Sequence, residues 1–343
     1  MLTQRELNRA LLARQLLLER ARLSLPRALE RMGGVQAQYA PSMYIGLWSR
    51  IDGLERDRLT RALERRTVVQ GTLMRGTIHL VAARDYWPFA LAIRRARREW
   101  WVKTHRNDPS AKELEETAAR LRNYLRGGPR RQKEIVSFLG GLDSRRWNGV
   151  GLFVDLVRVP PSGTWEQRRA DLYAVAEDWL GAADGTPDEG IEHLVRRYLG
   201  AFGPAARDDI SNWAGLPVSE LAPALARVRL RRFRSERGDE LLDLPRAPLP
   251  ASDTPAPVRF LPTWDATLLV HARRTGILPE KYRPLVFNTR TPHSVSTFLV
   301  DGEVAGTWRY ERGRVVLQPF APLASAARRE LEQEGERLAA LHA

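Results

Sequence analysis

The sequence predicts a mainly α protein with short β-wings, an α+β chain of three tandem winged-helix modules closed by a small C-terminal β-domain. Three observations carry this expectation. Helix signals near the N-terminus run into a two-stranded ribbon, that layout recurs twice further along, and a strand-rich segment follows a proline-rich connector. With 343 residues, 43% of them hydrophobic, the chain is long enough for several small cores.

The first module is expected over residues 1–105. Thr3 and Glu6 have capping-box spacing and open a helix whose apolar side holds Leu7, Ala10, Leu11 and Leu17. Ser24, with Pro26 in the first turn, starts a second helix that must stop at Gly33-Gly34. A third helix is expected near residues 57–65. Residues 68–82 then alternate as two β-branched runs about a turn at Met74-Arg75-Gly76, which reads as a hairpin.

The same layout returns over 106–185 and 186–248. Glu134-Ile135 precedes Phe138 and a Gly-Leu pair, and 75 positions later Asp209-Ile210 precedes Trp213 and Gly215-Leu216. A hairpin is expected after each, within 156–167 and within 227–244. The connector at 244–258 leads to the C-terminal β-domain, 259–343. There three strands should turn at Asp301-Gly302 and Arg312-Gly313 before a terminal helix.

Charge narrows the function. The chain carries +14 at neutral pH, and all but four of its 55 basic residues are arginine, whose planar fork suits phosphate. A codon-driven arginine bias is the plainer alternative. No apolar run is long enough to span a membrane, and the charged amphipathic N-terminus lacks a signal core. With no cysteine, thiol catalysis and cysteine-ligated metals are excluded, and a cytoplasmic location is expected. The six histidines are scattered without metal-ligand spacing, and no Walker loop, GxGxxG or GxSxG occurs, so no metal and no nucleotide cofactor is expected.

One local feature stands out. Gln36 and Gln38 lie two residues apart between Gly33-Gly34 and Pro41 and share a side in extended backbone. Glutamine is a poor base, but its amide both donates and accepts, so it positions water well. The plainer alternative is a pair of amides capping backbone groups at a helix junction.

The segments GVQAQYAP, YIGLWSRI, TLMRGTIHLV, VDLVRVPPSGTWEQRR, DISNWAGL, RFLPTWDATLLVHARR and FLVDGEVAGTWR follow one another as in a known family. In them the chain resembles the bacterial AlkZ-like winged-helix DNA glycosylases, along nearly its whole length. The resemblance implies a concave array of three winged helices and excision of bulky N7- or N3-alkylated purines from double-stranded DNA, interstrand crosslinks included. It places the catalytic water on Gln36 and Gln38, in the Gln-x-Gln branch that includes self-resistance enzymes of producers of DNA-alkylating antibiotics. A monofunctional enzyme is expected, since no lysine lies beside the pair in sequence to form a Schiff base, and it should act as a monomer. A non-catalytic winged-helix regulator is the runner-up, but it needs no paired glutamines and would offer a dimerisation helix. A DNA-coating protein fits the charge but not the glutamines.

DNA contacts are expected from three places. Arg94, Arg95, Arg97 and Arg98 crowd one helix that runs to Trp100-Trp101. Arg227, Arg229 and Arg231 alternate with apolar residues as though on one face of a wing strand. His293 sits in a proline-containing loop, 288–297. Trp48 and Trp87 are expected in the core.

Overall fold

The computed structural model describes residues 1–106, 108–288 and 293–343; the side chains of Asn288 and His293 lie outside the described residues. The first helix, α1 (Gln4–Arg14), is capped as expected: Thr3 Oγ1 accepts from Glu6 N at 3.2 Å while Thr3 N donates to the Glu6 carboxylate at 2.8 Å. The first module follows as α2 (Leu25–Met32), β1 (Val35–Gln36), α3 (Ala40–Trp48), α4 (Arg56–Glu64), β2 (Val68–Thr72) and β3 (Ile78–Ala82). A 22-residue helix, α5 (Ala83–Thr104), leads to the next unit.

That unit repeats the order: α6 (Ala111–Leu125), β4 (Arg130–Arg131), α7 (Gln132–Phe138), α8 (Ser144–Val150), β5 (Leu156–Arg158) and β6 (Leu172–Val175). After the short α9 (Ala176–Leu180) comes α10 (Pro187–Phe202), then α11 (Arg207–Ala214), α12 (Val218–Arg227), β7 (Arg231–Arg234) and β8 (Glu240–Asp243). The small leading strand pairs with the last wing strand each time: β1 with β3, β4 with β6, and in the third copy a single bridge from Ala205 to Leu242. The sequence repeat falls on α7 and α11, where Glu134 and Asp209 each accept from the backbone N–H that opens their helix, at 2.8 and 2.9 Å.

Two wings depart from the expected hairpins. The 156–167 segment supplies only its first strand; the partner begins at Leu172, and residues 159–171 form a loop. Pro160 and Pro161 lack the N–H groups that a continuing ladder needs. In the third wing α12 runs to Arg227, because Leu221, Ala224 and Val228 keep helical spacing into the core, and the strand starts only at Arg231.

The first two wings are joined. β2 pairs with β5 through Gln70↔Arg158 and Gly71↔Val157, giving one six-stranded antiparallel sheet ordered β1-β3-β2-β5-β6-β4. The largest apolar core lies where α5, α10 and α11 meet this sheet and includes Phe89, Tyr198, Phe202 and Trp213. A second core joins α3 to the C-terminal sheet through Met43, Tyr44, Trp48, Phe260, Phe298 and Trp308. Trp48 and Trp87 are buried.

The C-terminal part begins with β9 (Arg259–Leu261) and passes through turns to α13 (Arg283–Val286), β10 (Phe287–Asn288) and β11 (His293–Ser294). Then β12 (Thr297–Val300), β13 (Glu303–Glu311) and β14 (Arg314–Pro319) form a four-stranded antiparallel sheet with β9, and α14 (Ser325–His342) follows. Its turns fall at Asp301-Gly302 and Arg312-Gly313 as expected.

Part of the arginine excess is structural. Arg14 and Asp243 are both fully buried, paired at 2.7 and 3.0 Å, and Arg14 also donates to Leu199 O and Pro248 O, tying α1 to α10, β8 and the connector. Arg50 and Asp265, also buried, pair at 2.9 Å between α3 and the chain after β9.

Candidate active site

Glycine chemistry sets the path of β1. Gly33 closes α2 in the left-handed region at φ 74°, and Gly34 follows at φ 81°. A Cβ on Gly34 would stand 2.8 Å from Val81 Cγ1 and 3.0 Å from Leu80 O. Only a residue without a side chain lets the strand lie this close to β3. The register then sets Val35 against Leu80 and Gln36 against His79. Ala37 N continues the pairing with Ile78 O at 2.8 Å, and the Gln38 side chain takes the next place: its Oε1 accepts from Ile78 N at 2.9 Å. Gln38 is otherwise exposed.

Gln36 is buried, and its amide makes no hydrogen bond among the described residues. It lines a cavity of about 10 Å³ shared with Gln15, Ser42, Arg50, Thr263, Trp264 and Asp265. That is the space of one water, and the lining is polar enough to hold one. Gln15 is anchored by donating to Met32 O and Ala201 O at 3.1 and 3.0 Å. Asp265 is the acid in the lining, and its Oδ1 already accepts from Arg50 Nη2, Thr267 N and Thr267 Oγ1 at 2.9, 3.1 and 2.7 Å.

His79, across the strand from Gln36, is buried, and its Nδ1–H donates to Thr77 O at 3.0 Å. Burial, reinforced by the positive charge of Arg75, lowers its pKa to about 3, so the ring is neutral at physiological pH. The cavity lining therefore combines neutral amides with a carboxylate spent on an arginine, and the neutral imidazole of His79 lies across the strand. Such a set has the groups to orient a water and no strong base to deprotonate one.

The expected DNA-contact arginines divide between surface and scaffold. Arg94 pairs with Asp155 at 2.7 Å and Arg95 with Glu220 at 2.6 Å. Arg97 donates to Thr72 O at 3.1 Å, and burial lowers its pKa to about 10, which still leaves it cationic at neutral pH. Arg98 donates to Leu152 O at 2.7 Å and stacks over Phe153 at 4.7 Å. Arg94 and Arg97 line a cleft of about 1050 Å³ with Trp100, Trp101, Trp147 and Arg158. The three wing arginines do not share a strand face. Arg227 ends α12 and lies 3.5 Å from Glu192, Arg229 is exposed between the helix and the strand, and Arg231 pairs with Asp243 at 3.1 Å. His293 opens β11, and its side chain lies outside the described residues.

A family model for AlkZ-like DNA glycosylases matches residues 29–341. The chain belongs to the AlkZ-like DNA glycosylase family. An interstrand DNA cross-link repair glycosylase of Streptomyces sahachiroi is 23% identical over a 356-position alignment that covers 95% of this chain and 93% of that relative. The structure of the Streptomyces sahachiroi DNA glycosylase AlkZ matches with a TM-score of 0.82 at 20% identity, over 99% of this chain and 97% of that one. The α+β winged-helix architecture is thus shared across the whole length.

Membership makes this AlkZ-like chain a DNA glycosylase, a hydrolase of N-glycosyl bonds. Among the described residues, no helix is long and apolar enough to cross a membrane. Several residues of its site were not foreseen from the sequence: Gln15, Ser42, the Arg50–Asp265 pair, His79 and Trp264. Asp265 left a legible trace, since an Asp two residues before Thr267 is a local turn-capping pattern. Ser42 lies four residues beyond Gln38 in the same segment; Gln15, Arg50, His79 and Trp264 are brought to Gln36 from distant parts of the chain and have no local signature.

Proposed function

We propose that this AlkZ-like glycosylase hydrolyses the N-glycosidic bond of N7- or N3-alkylated purines in duplex DNA, with Gln36 and Gln38 holding the attacking water. One observation carries the assignment: a buried glutamine without a hydrogen bond among the described residues, lining a water-sized cavity at the edge strand β1, with Gln38 two residues on, outside that lining and bonded to Ile78 N. An amide that no neighbour engages is free to hold a water with both its donor and its acceptor.

The chemistry suits these groups. Alkylation at N7 or N3 makes the purine cationic, so it leaves without protonation by a strong acid. What remains is to orient a water toward an oxocarbenium-like sugar, which placed dipoles accomplish without reorganising. The one acid in the lining, Asp265, is paired with Arg50 and accepts from Thr267, so it is not offered as a proton donor to the leaving group and an unmodified purine stays intact. With no lysine in the lining, the enzyme is monofunctional and leaves an abasic site.

The name of the Streptomyces relative brings interstrand crosslinks within the proposed range, and with them a role in repair or in self-resistance to an alkylating compound. A crosslinked base cannot enter a tight pocket, so the lesion would be met at the surface, where Gln38 is exposed. The protein acts as a monomer in this account, with the net charge of +14 drawing it to the duplex. The test is incubation with duplexes carrying N7-methylguanine or a bulky N7 adduct, followed by heating in alkali. Strand breaks at the lesion and none at unmodified guanine are expected. An absence of breaks across the lesion panel would refute the assignment.

A further inference from the structure

We propose that Trp264 is the platform on which a cationic alkylpurine is seated, and that the preference for a charged base over a neutral one is set there. This rests on the function proposed above and assigns the residue that reads the base, where Gln36 and Gln38 serve the water.

The backbone gives the first indication. Trp264 has φ 64°, in the left-handed region, where a bulky side chain is a rare outlier. Such a conformation persists only when its surroundings over-determine it, and it concentrates at functional sites. Here the surroundings do. Thr263 Oγ1 and Ser42 Oγ lie 2.7 Å apart, Trp264 N donates to Ser294 Oγ of β11 at 2.6 Å, and Asp265 is fixed by Arg50 and by Thr267. The loop is therefore held from three directions: by α3, by the β10–β11 pair and by its own following turn.

The side chain gives the second. Trp264 is half-buried and lines the same water-sized cavity as Gln36. Three other indoles of this arginine-rich chain are covered by guanidinium groups. Arg20 lies over Trp48 at 4.6 Å, Arg56 over Trp165 at 5.2 Å and Arg66 over Trp179 at 3.9 Å. Among the described residues no cation and no aromatic ring stacks on Trp264, and its indole N–H makes no hydrogen bond. Among the described residues the indole is thus left without a stacking partner, on the cavity that Gln36, Ser42 and Asp265 also line.

The chemistry fits. An N7- or N3-alkylated purine is a planar cation, and an indole face attracts it by stacking and by the negative potential of the ring. A neutral purine gains only the stacking. Trp264 thus favours the bases whose glycosidic bond alkylation has already weakened.

The experiment compares binding to two duplexes of matched shape. One carries N7-methylguanine on a 2′-fluorinated sugar, which keeps the charge but resists cleavage; the other carries neutral 7-methyl-7-deazaguanine on the same sugar. Wild type should bind the cationic duplex roughly 3- to 30-fold tighter, the span of a cation over an indole. Trp264→Leu should bind both equally, and Trp264→Phe should keep part of the difference. Trp264→Asn suits the left-handed backbone, so its Tm should hold or rise while the preference is lost; a purely structural tryptophan would show a lowered Tm and an intact preference. Should wild type excise N7-methylguanine while Trp264→Leu retains the full cation preference, this inference alone is overturned. Should wild type neither excise nor discriminate, the proposed function falls and takes this inference with it.

Discussion

Replacing Gly34 with alanine tests how the fold aims the glutamines. At φ 81° an L-residue carries a steric cost of about 1–2 kcal/mol. The new Cβ would also meet Val81 Cγ1 at 2.8 Å and the Leu80 carbonyl oxygen at 3.0 Å. The second obstacle is backbone and cannot rotate away, so β1 must move off β3, adding about 1–3 kcal/mol of overpacking. Gly53 is the internal control: its φ is 60°, and a Cβ there meets nothing within 4 Å. Gly53→Ala should cost only the conformational part, about 1–2 kcal/mol. Urea denaturation should therefore rank Gly34→Ala as less stable than Gly53→Ala by the overpacking cost. Single-turnover excision should separate them further, because a shift of about 1 Å at a positioning group costs on the order of 10²-fold in rate. The reasoning is refuted if Gly34→Ala is no less stable than Gly53→Ala and excises at the wild-type rate.

Other expectations follow from the same geometry. His79 has a folded pKa of about 3 against an ordinary value of 6.5, so between these values the unfolded chain binds more protons and stability falls as pH falls. Relative to neutral pH, the loss from His79 should reach about 2 kcal/mol by pH 5, in urea titrations at both pH values, and His79→Gln should remove that part. Arg14→Met leaves buried Asp243 with Arg231 as its remaining cationic partner and should cost about 3 kcal/mol, the low end for a broken buried pair, while adding Asp243→Leu should restore much of it, as read by Tm. Affinity for undamaged duplex should drop by about 10³-fold between 50 and 200 mM salt if some six phosphates are neutralised, a fall that fluorescence anisotropy would detect.

Much of the fold was legible because the punctuation is local. Thr3 with Glu6, Gly33-Gly34, the hairpin turn at Met74–Gly76 and the turns at Asp301 and Arg312 each act within a few residues. Helix α3 left no amphipathic trace because all nine of its residues are buried. The joining of two wings into one sheet depends on Gln70 meeting Arg158 and Gly71 meeting Val157, pairings that no local pattern encodes. The glutamine pair was visible because Gly-Gly and Pro41 bracket it. Its surroundings were not: Gln15, Arg50 and Trp264 converge from separate elements. Arginine content was the least reliable guide, since Arg14 and Arg50 look like surface charge in sequence and are buried in the fold.

The most direct measurement is single-turnover excision of N7-methylguanine from duplex DNA by wild type, Gln36→Ala, Gln38→Ala and the double variant, with Tm taken on the same samples. The Gln36 amide makes no hydrogen bond among the described residues, so Gln36→Ala should leave Tm nearly unchanged; Gln38→Ala gives up one exposed bond to Ile78 N and should lose at most about 1 kcal/mol. Each single variant should excise roughly 10²-fold more slowly, as when one placed transition-state donor is removed. The double variant should fall far short of the product, because one water is held by both. Single variants that keep near wild-type rates while losing stability would contradict the account and leave the glutamines as caps on the edge of a strand.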